Sequence, residues 1–444
     1  MVYRLQSNPT FAIRRERKTP RPRSLWIFPY QNFGFFNYLT LDFVKVTIVM
    51  RTMPMIIQRK STETLIRLAS QFPVVGITGP RQSGKTTLAQ MVFPRKRYVS
   101  MDRRDIRELA ISSPYDFLRA FPQGAIIDEA QKVPELFHAV KEFVDQERPD
   151  PGSFILTGSS QFRLREGINE SLAGRIGLLN LFPFSIGELK DAGLLQQTAH
   201  HMAFRGFYPP LHDRTRPFLP EDWFQNYIDT YIDIDVSDHI NPSNQSLFRK
   251  FIQLCAANSA QMLNMERMSR DVGVTAPTIR QWLSILEASF IIHFLEPSST
   301  NLGKSLVKTP KMYFLDSGLL CHFLRLDSVE DLLLSRFKGA VIETMAVSEL
   351  LKQRYHQGRK ANLTFYRERR GFEVDVIADW KQSFAIEIKS NNETESKLSA
   401  SVRAYATEKE NTARPVVFYL GDISASIQGV DYISWQDWGD FSST

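Results

Sequence analysis

The stretch Pro73-Val-Val-Gly-Ile-Thr-Gly-Pro-Arg-Gln-Ser-Gly-Lys-Thr-Thr87 decides how the rest of this chain is read. Its first half, Pro73 to Thr78, is a short apolar run of strand type. Its second half, Gly79-Pro80-Arg81-Gln82-Ser83-Gly84-Lys85-Thr86-Thr87, runs into a segment of helical character. A glycine-rich loop between a strand and a helix is a phosphate cradle. The glycines let backbone N–H groups turn toward an anion, and the helix N-terminus adds positive potential. In this setting Lys85 reaches the β- and γ-phosphates and Thr86 offers its hydroxyl to Mg²⁺. The nine residues Gly79 to Thr87 are therefore the expected nucleotide-binding set, with ATP and Mg²⁺ as the expected cofactors.

Working outward, Ala125-Ile-Ile-Asp128-Glu129 is an apolar strand that ends in two acids. Asp128 at the strand end suits the magnesium shell, and Glu129 beside it suits a base that orients or deprotonates water. A third strand, Ser153-Phe-Ile-Leu-Thr-Gly-Ser159-Ser160, ends in hydroxyls, of which Ser159 is a candidate γ-phosphate sensor. Strands at 97 to 102, 125 to 130, 153 to 158 and 176 to 182 alternate with helical segments. That pattern predicts an α/β fold with a parallel sheet covered on both faces.

GPRQSGKTTL, the DEAQ at 128 to 131, LTGSSQF and SLAGRIGLLNLFPFSIGEL resemble the AAA-type ATPases of bacteria and archaea that are joined to a C-terminal domain of unknown function. The similarity continues through YIDTYIDIDV and SLVKTPKMYFLDSGLL and covers roughly residues 55 to 440. Asp128 and Glu129 together lead to an expectation of ATP hydrolysis, the two widely spaced cysteines fit a reducing cytoplasm, and the resemblance implies a tendency to form homo-oligomers. It also makes Arg175, in the GRI segment, a candidate for sensing or completing a nucleotide site, its own or a neighbour's, with a surface ion pair as the alternative.

Residues 263 to 287 contain a helix, a turn at Gly273, a cap at Thr275 and a second helix with Ile279, Trp282, Leu283 and Leu286 on one face. This is the pattern of a helix-turn-helix, and the PKMYFLD segment after it suits a wing. Arg267, Arg270 and Arg280 are balanced by Glu266, Asp271 and Glu287. DNA or RNA binding through this part would thus lack the charge that supplies most of the affinity of such modules, and a packing or relay role is the alternative.

Phe372 to Ser390, FEVDVIADWKQSFAIEIKS, reads as a hairpin with a five-residue turn from Asp379 to Ser383, so facing residues have numbers summing to 762. Asp375 then faces Glu387, Glu373 faces Lys389, and all four share one side, with Val374, Val376, Ile386 and Ile388 on the other. Opposed carboxylates repel, and a divalent cation between them would relieve that cost. Glu343, among Ala340, Ala346, Val347 and Leu350 on a helical face, brings a third acid. Glu343, Asp375, Glu387 and Lys389 together resemble the PD-(D/E)xK nuclease fold. That resemblance implies a second divalent cation held by the acids, with the lysine positioning water. A solvent-facing hairpin with a Glu373–Lys389 ion pair is the alternative.

The net charge of +7 belongs to the leader. Residues 1 to 60 hold eleven Lys/Arg against Glu16 and Asp42, a surplus of nine, which leaves 7 − 9 = −2 for the remaining 384. The leader reads as a disordered arm, as sequence upstream of a start at Met50, Met53 or Met55, or as a targeting peptide. No apolar run long enough for a membrane span occurs, and Cys255 and Cys321 have no metal or disulfide spacing. The expected organisation is a basic leader (1–52), an AAA-type P-loop domain (53–195), a helical linker with a winged helix-turn-helix (196–325) and a nuclease-like α/β domain of restriction-endonuclease type (326–444). Three functions stay open: an ATPase that couples nucleotide state to its C-terminal parts, an ATP-regulated metal-dependent nuclease, and an ATP-gated DNA-binding regulator.

Overall fold

A computed structural model describes residues 12–15, 46–49, 56–158, 172–230, 240, 244–298, 308–368, 371–394, 399–407 and 413–443. Val74–Thr78 (β1) has apolar side chains on both of its faces, as a strand between two helical layers requires, and all five positions are buried. Arg97–Ser100 (β2), Ala125–Asp128 (β3), Phe154–Gly158 (β4) and Ile176–Asn180 (β5) join it in a parallel sheet of order β2-β3-β4-β1-β5. Thr62–Ala69 (α1) and Lys85–Val92 (α2) cover one face, where Leu65, Leu68 and Leu88 pack on Val75, Ile77 and Ile126. On the opposite face Phe137 and Val140 pack on Val74, Ile127 and Phe154. The order sets β3, β4 and β1 side by side, so their C-terminal ends form one rim. Ligands of open parallel sheets bind at such rims.

The rest of the chain builds a second, mixed sheet. Its strands are Gln261–Met262 (β6), Ile292–Pro297 (β7), Lys311–Phe314 (β8), Leu363–Arg367 (β9), Glu373–Asp379 (β10), Ser383–Ile388 (β11), Arg414–Tyr419 (β12), Ala425–Ile427 (β13) and Val430–Ser434 (β14). Their order is β13-β14-β12-β11-β10-β9-β7-β8-β6. Met265–Val272 (α3), Gly273 at φ 90° and Ala276–Ala288 (α4) form the expected helix-turn-helix, and β7 and β8 pair antiparallel after it. Ile279, Trp282, Leu283 and Leu286 are buried. The sheet runs across residue 325, where the sequence suggests a division, because β9 pairs in parallel with β7 through Thr364–Glu296 and Phe365–Pro297. One hydrophobic core accordingly joins Phe182 to Phe441.

Lys338–His356 (α5) is the hub of this core. It is buried almost all round, so the single apolar face read around Glu343 understates it. Several of its buried polar residues find partners on other elements. Thr344 Oγ1 meets Ser259 Oγ at 3.1 Å, Ser348 Oγ donates to Leu315 O at 2.7 Å, and Gln353 Nε2 donates to Trp438 O at 3.1 Å. Buried polar groups of this kind hold a helix in one position, since any shift would leave several of them unsatisfied.

The β10–β11 hairpin has the expected register: Val376–Ile386, Ile377–Ala385, Ala378–Phe384 and Asp379–Ser383 all sum to 762. Its faces differ from strict alternation. Between the pairs Thr364–Ile377 and Tyr366–Val374, β10 has one residue more than β9, a bulge. Val374 therefore packs with Tyr366 and Ala385, whereas Val376 packs with Ile386 and Ile388 on the opposite face.

From the leader, the described residues contribute an antiparallel pair, Ala12–Arg15 with Val46–Val49. Among the described residues no helix is long and apolar enough to cross a membrane, and both cysteines are buried thiols.

Candidate functional site

The phosphate loop begins where β1 meets β5. Gly79 has φ 149°, and a Cβ there would lie 2.0 Å from Leu181 O, so only glycine lets the loop start this close to its neighbour. Gly84, at φ 94°, opens α2. Lys85 Nζ donates to Gly79 O at 2.9 Å and to Pro80 O at 2.7 Å, which curls the ammonium into its own loop. Burial lowers its pKa from 10.5 to about 8, against the opposing pull of Glu129 and Asp128. A phosphate oxygen would be a stronger partner for the ammonium than either carbonyl.

Asp128 lies across the rim from the loop. Thr86 Oγ1 donates to its Oδ1 at 2.9 Å, Thr157 Oγ1 donates to the same oxygen, and Tyr98 Oη donates to Oδ2 at 2.8 Å. Thr86 and Asp128 fit a Mg²⁺ that takes one or two protein oxygens and keeps several waters. Glu129 stands next to it in the left-handed region, φ 55°, and its carboxylate accepts from Gln131 Nε2. A non-glycine residue in that conformation is strained and points to a positional requirement. Tyr98, Thr157 and Gln131 were not singled out by motif reading, although Gln131 closes the DEAQ quartet. Ser159 lies outside the described residues.

Arg175 is not part of this site. It precedes β5 at the end of the sheet opposite the loop, a full strand away, where Val74 N donates to its carbonyl. Its guanidinium holds Asp145 through Nε at 2.6 Å and Nη2 at 2.9 Å.

A cleft of 910 Å³ opens beside Gln82, Gly84 and Thr87 and is walled by Trp223 and Tyr227. The apolar side chains at its mouth, Ile56, Met91 and Phe218, are 59%, 38% and 43% exposed. A cleft that leaves the phosphate loop on the Thr87 side, with exposed apolar edges, suits a purine base. Phe218→Ala is expected to weaken ATP binding about tenfold, the scale of one aromatic stacking contact. Binding of tripolyphosphate, which has no base, would be unchanged, and fluorescence competition reads both.

Behind the loop, Arg59 holds three elements at once. Nη1 donates to Ser83 O at 2.7 Å, Nη2 to Phe182 O at 2.6 Å, and Nε to Glu188 Oε1 at 3.0 Å. Glu188 and Ser185 form a capping box, the signal in SIGE that could have found it. Burial alone would raise the Glu188 carboxyl, but Arg59, His356 and two backbone donors hold it at about 2. Burial also lowers His356 to about 4, so at neutral pH the histidine is uncharged and Arg59 is the cation that matters. Phe184 to Glu188 is in turn bound to α5: Glu349 Oε2 accepts from Ile186 N at 2.8 Å, and Lys352 Nζ donates to Phe184 O at 2.8 Å. A continuous buried chain of polar contacts thus links the loop carbonyl of Ser83 to α5.

At its other end α5 presents Glu343 to the hairpin acids. The structure brings Glu343, Asp375 and Glu387 close enough that burial, Glu343 and Glu387 together push the Asp375 carboxyl well above the usual carboxylate range. It also places a residue there that motif reading missed. Lys311 Nζ, on a side chain only 4% exposed, lies 2.6 Å from Glu373, 3.3 Å from Glu343 and 3.9 Å from Asp375. Other oxygens of the set are also engaged. Tyr313 Oη donates to Glu343 Oε1 at 2.6 Å, and Ile388 N donates to Asp375 Oδ2 at 2.9 Å. Glu387 takes Lys389 Nζ at 2.6 Å and Ser401 Oγ at 2.6 Å. Glu373 pairs with Lys311 and, at 2.9 Å, with Arg367 rather than with Lys389. No group of metal-binding side chains is assembled among the described residues. The second-cation expectation therefore does not fit the donors as arranged, because the Lys311 ammonium already lies against two of the three expected ligands, Glu343 and Asp375, and Glu387 is engaged by Lys389 and Ser401.

Residues 71–190 match the family profile described as "AAA domain", which supports a P-loop ATPase in this part of the chain. Residues 196–330 and 338–438 match two families described as domains of unknown function, DUF8612 and DUF4143. The chain is 27% identical over 379 residues to "Uncharacterized protein Rv2008c" of Mycobacterium tuberculosis, covering 83% of this chain and 81% of that protein. "Uncharacterized protein Mb2031c" of Mycobacterium bovis matches to the same extent. Among solved structures, the Walker-type ATPase paby2304 of Pyrococcus abyssi aligns with 60% of this chain and 96% of its own, at 14% identity and a TM-score of 0.42. The ORC2 protein of Aeropyrum pernix in its ADP form aligns with 53% and 84%, at 13% and 0.27.

Proposed function

We propose that this ATPase is a nucleotide-driven switch, in which the state of the phosphate loop is carried through Arg59 and the segment from Phe182 to Glu188 to α5, and by α5 to the shared sheet. The observation that carries this reading is the bracket of Arg59 on Ser83 O, Phe182 O and Glu188. Any turn of the loop's N–H groups toward a bound phosphate would turn the carbonyls of the same peptide planes with them. Arg59 grips one of those carbonyls. For turnover, Lys85 would neutralise charge on the transferred phosphoryl group, Thr86 and Asp128 would hold Mg²⁺, and Glu129, oriented by Gln131, would direct the attacking water.

The other two readings have less support. The nuclease-like acids are engaged by Lys311, Lys389, Tyr313 and Ser401. The exposed positions of α4, Pro277, Arg280, Gln281, Ser284 and Glu287, set one cation against one acid, which leaves little for phosphate contacts.

Hydrogen exchange tests the switch. Saturating ATP is expected to change the protection of Lys338–His356, although α5 touches no nucleotide, and ADP is expected to reverse part of that change. Equal exchange of α5 with and without nucleotide, while the phosphate loop becomes protected, would rule the coupling out.

A further inference from the structure

The C-terminal acids pose a separate question. Four carboxylates, Glu343, Glu373, Asp375 and Glu387, meet at the end of the hairpin, and three of them lie within 4 Å of one nitrogen, Lys311 Nζ. Lys311 does not belong to the hairpin. It is the first residue of β8, held in the sheet between Leu295 and Met262, and its side chain reaches past the Phe365 ring, 5.4 Å from the centroid, to the acids of β10. We infer that Lys311 is the resident cation of this centre and that the centre, as folded, takes no divalent metal.

Two physical arguments carry this. A small divalent ion needs carboxylate oxygens at about 2.0–2.1 Å, and so would compete with Nζ for the oxygens of Glu343 and Asp375, which lie 3.3 and 3.9 Å from it. Nor can the ion settle beside the ammonium, because two cations some 3–4 Å apart in a buried site repel strongly. Lys311 cannot swing out to make room without cost. Its backbone is paired on both sides, and its buried ammonium would lose all three carboxylates. The tether also does what a free ion cannot. It ties β8 of the middle region to β10 of the C-terminal region, so the centre works as a weld between them. The inference stands apart from the switch reading, since neither Arg59 nor nucleotide enters it.

The experiment is Mn²⁺ titration of nucleotide-free full-length protein, read by paramagnetic relaxation, on the wild type, Asp375→Asn, Lys311→Met and Lys311→Met/Asp375→Asn. Any weak binding at Asp128 is common to all four and cancels. The expected result is that wild type and Asp375→Asn titrate alike, that Lys311→Met gains one Mn²⁺ per chain, and that the double variant loses it. A wild-type binding event that disappears in Asp375→Asn would overturn the inference. So would a Lys311→Met protein that binds ATP normally, showing it to be folded, yet gains no Mn²⁺. If Lys311→Met does not fold, the comparison of wild type with Asp375→Asn decides alone.

Discussion

Lys85→Ala will reduce ATP turnover by about 10²–10³-fold, the usual consequence of deleting one preorganised donor to a developing phosphoryl charge. It will also weaken ATP binding, and Glu129→Gln will separate the two effects. That variant keeps the loop, Thr86 and Asp128 intact, so it should bind ATP normally while turnover falls by about 10²–10⁴-fold, the range for a lost general base. Because burial holds Lys85 at about 8 in the empty loop, the ammonium begins to lose its proton above that pH. Bound phosphate favours the charged form, so nucleotide binding takes up a proton there, and wild-type affinity will fall as pH rises above 8. Lys85→Ala will lack that pH dependence. Isothermal titration across pH 6.5 to 9.5, with phosphate release in parallel, measures all of this. Normal turnover in Lys85→Ala would remove the assignment of the site.

Arg59→Met will destabilise the protein by about 3–5 kcal/mol, since it leaves Glu188 buried with no cation beside it. The pair is fully enclosed, with side chains 4% and 0% exposed. Removing the stranded charge in Arg59→Met/Glu188→Gln should recover a large part of that loss. The pH dependence follows from Glu188, whose folded pKa of about 2 lies below its ordinary 4.5. A depressed carboxylate contributes stability that is present above the ordinary value and lost as pH falls through the folded one. In Arg59→Met burial without the guanidinium raises the Glu188 carboxyl above its ordinary 4.5, so the stability gap between wild type and variant is expected to start narrowing above pH 4.5 and to go on narrowing as pH falls toward about 2. The double variant also isolates the coupling. It is folded but no longer grips Ser83 O, so ATP should protect its phosphate loop without changing exchange in α5. A normal α5 response in that protein would mean that another route carries the signal.

Much of the site was readable because it is local. The phosphate loop, Asp128 and Glu129 lie at the ends of short apolar strands, and in a parallel sheet those ends must share one rim. The hairpin register was readable for the same reason, since turn length and the two-residue period determine which residues face each other. The period failed at a single place, where the bulge in β10 moved Val374 to the opposite face from Val376. Bulges depend on the neighbouring strand, here β9, and no pattern within β10 announces them.

The amino-acid sequence by itself determined the strand and helix that flank the phosphate loop, the two helices on either side of Gly273 and the strand hairpin of the C-terminal region. Only the tertiary structure decided what those parts do to each other. Arg175 falls at the far end of the sheet because strand direction, not motif membership, sets its place. Arg59 finds Glu188 across 129 residues, and Lys60 finds Asp440 across 380. Lys311 enters the acidic centre because β7 pairs with β9 and so carries β8 alongside. Periodicity and capping record what a residue needs from its near neighbours. Which distant charge fills a buried centre is set by strand order and by the cost of leaving that centre unneutralised, and both exist only once the chain has folded.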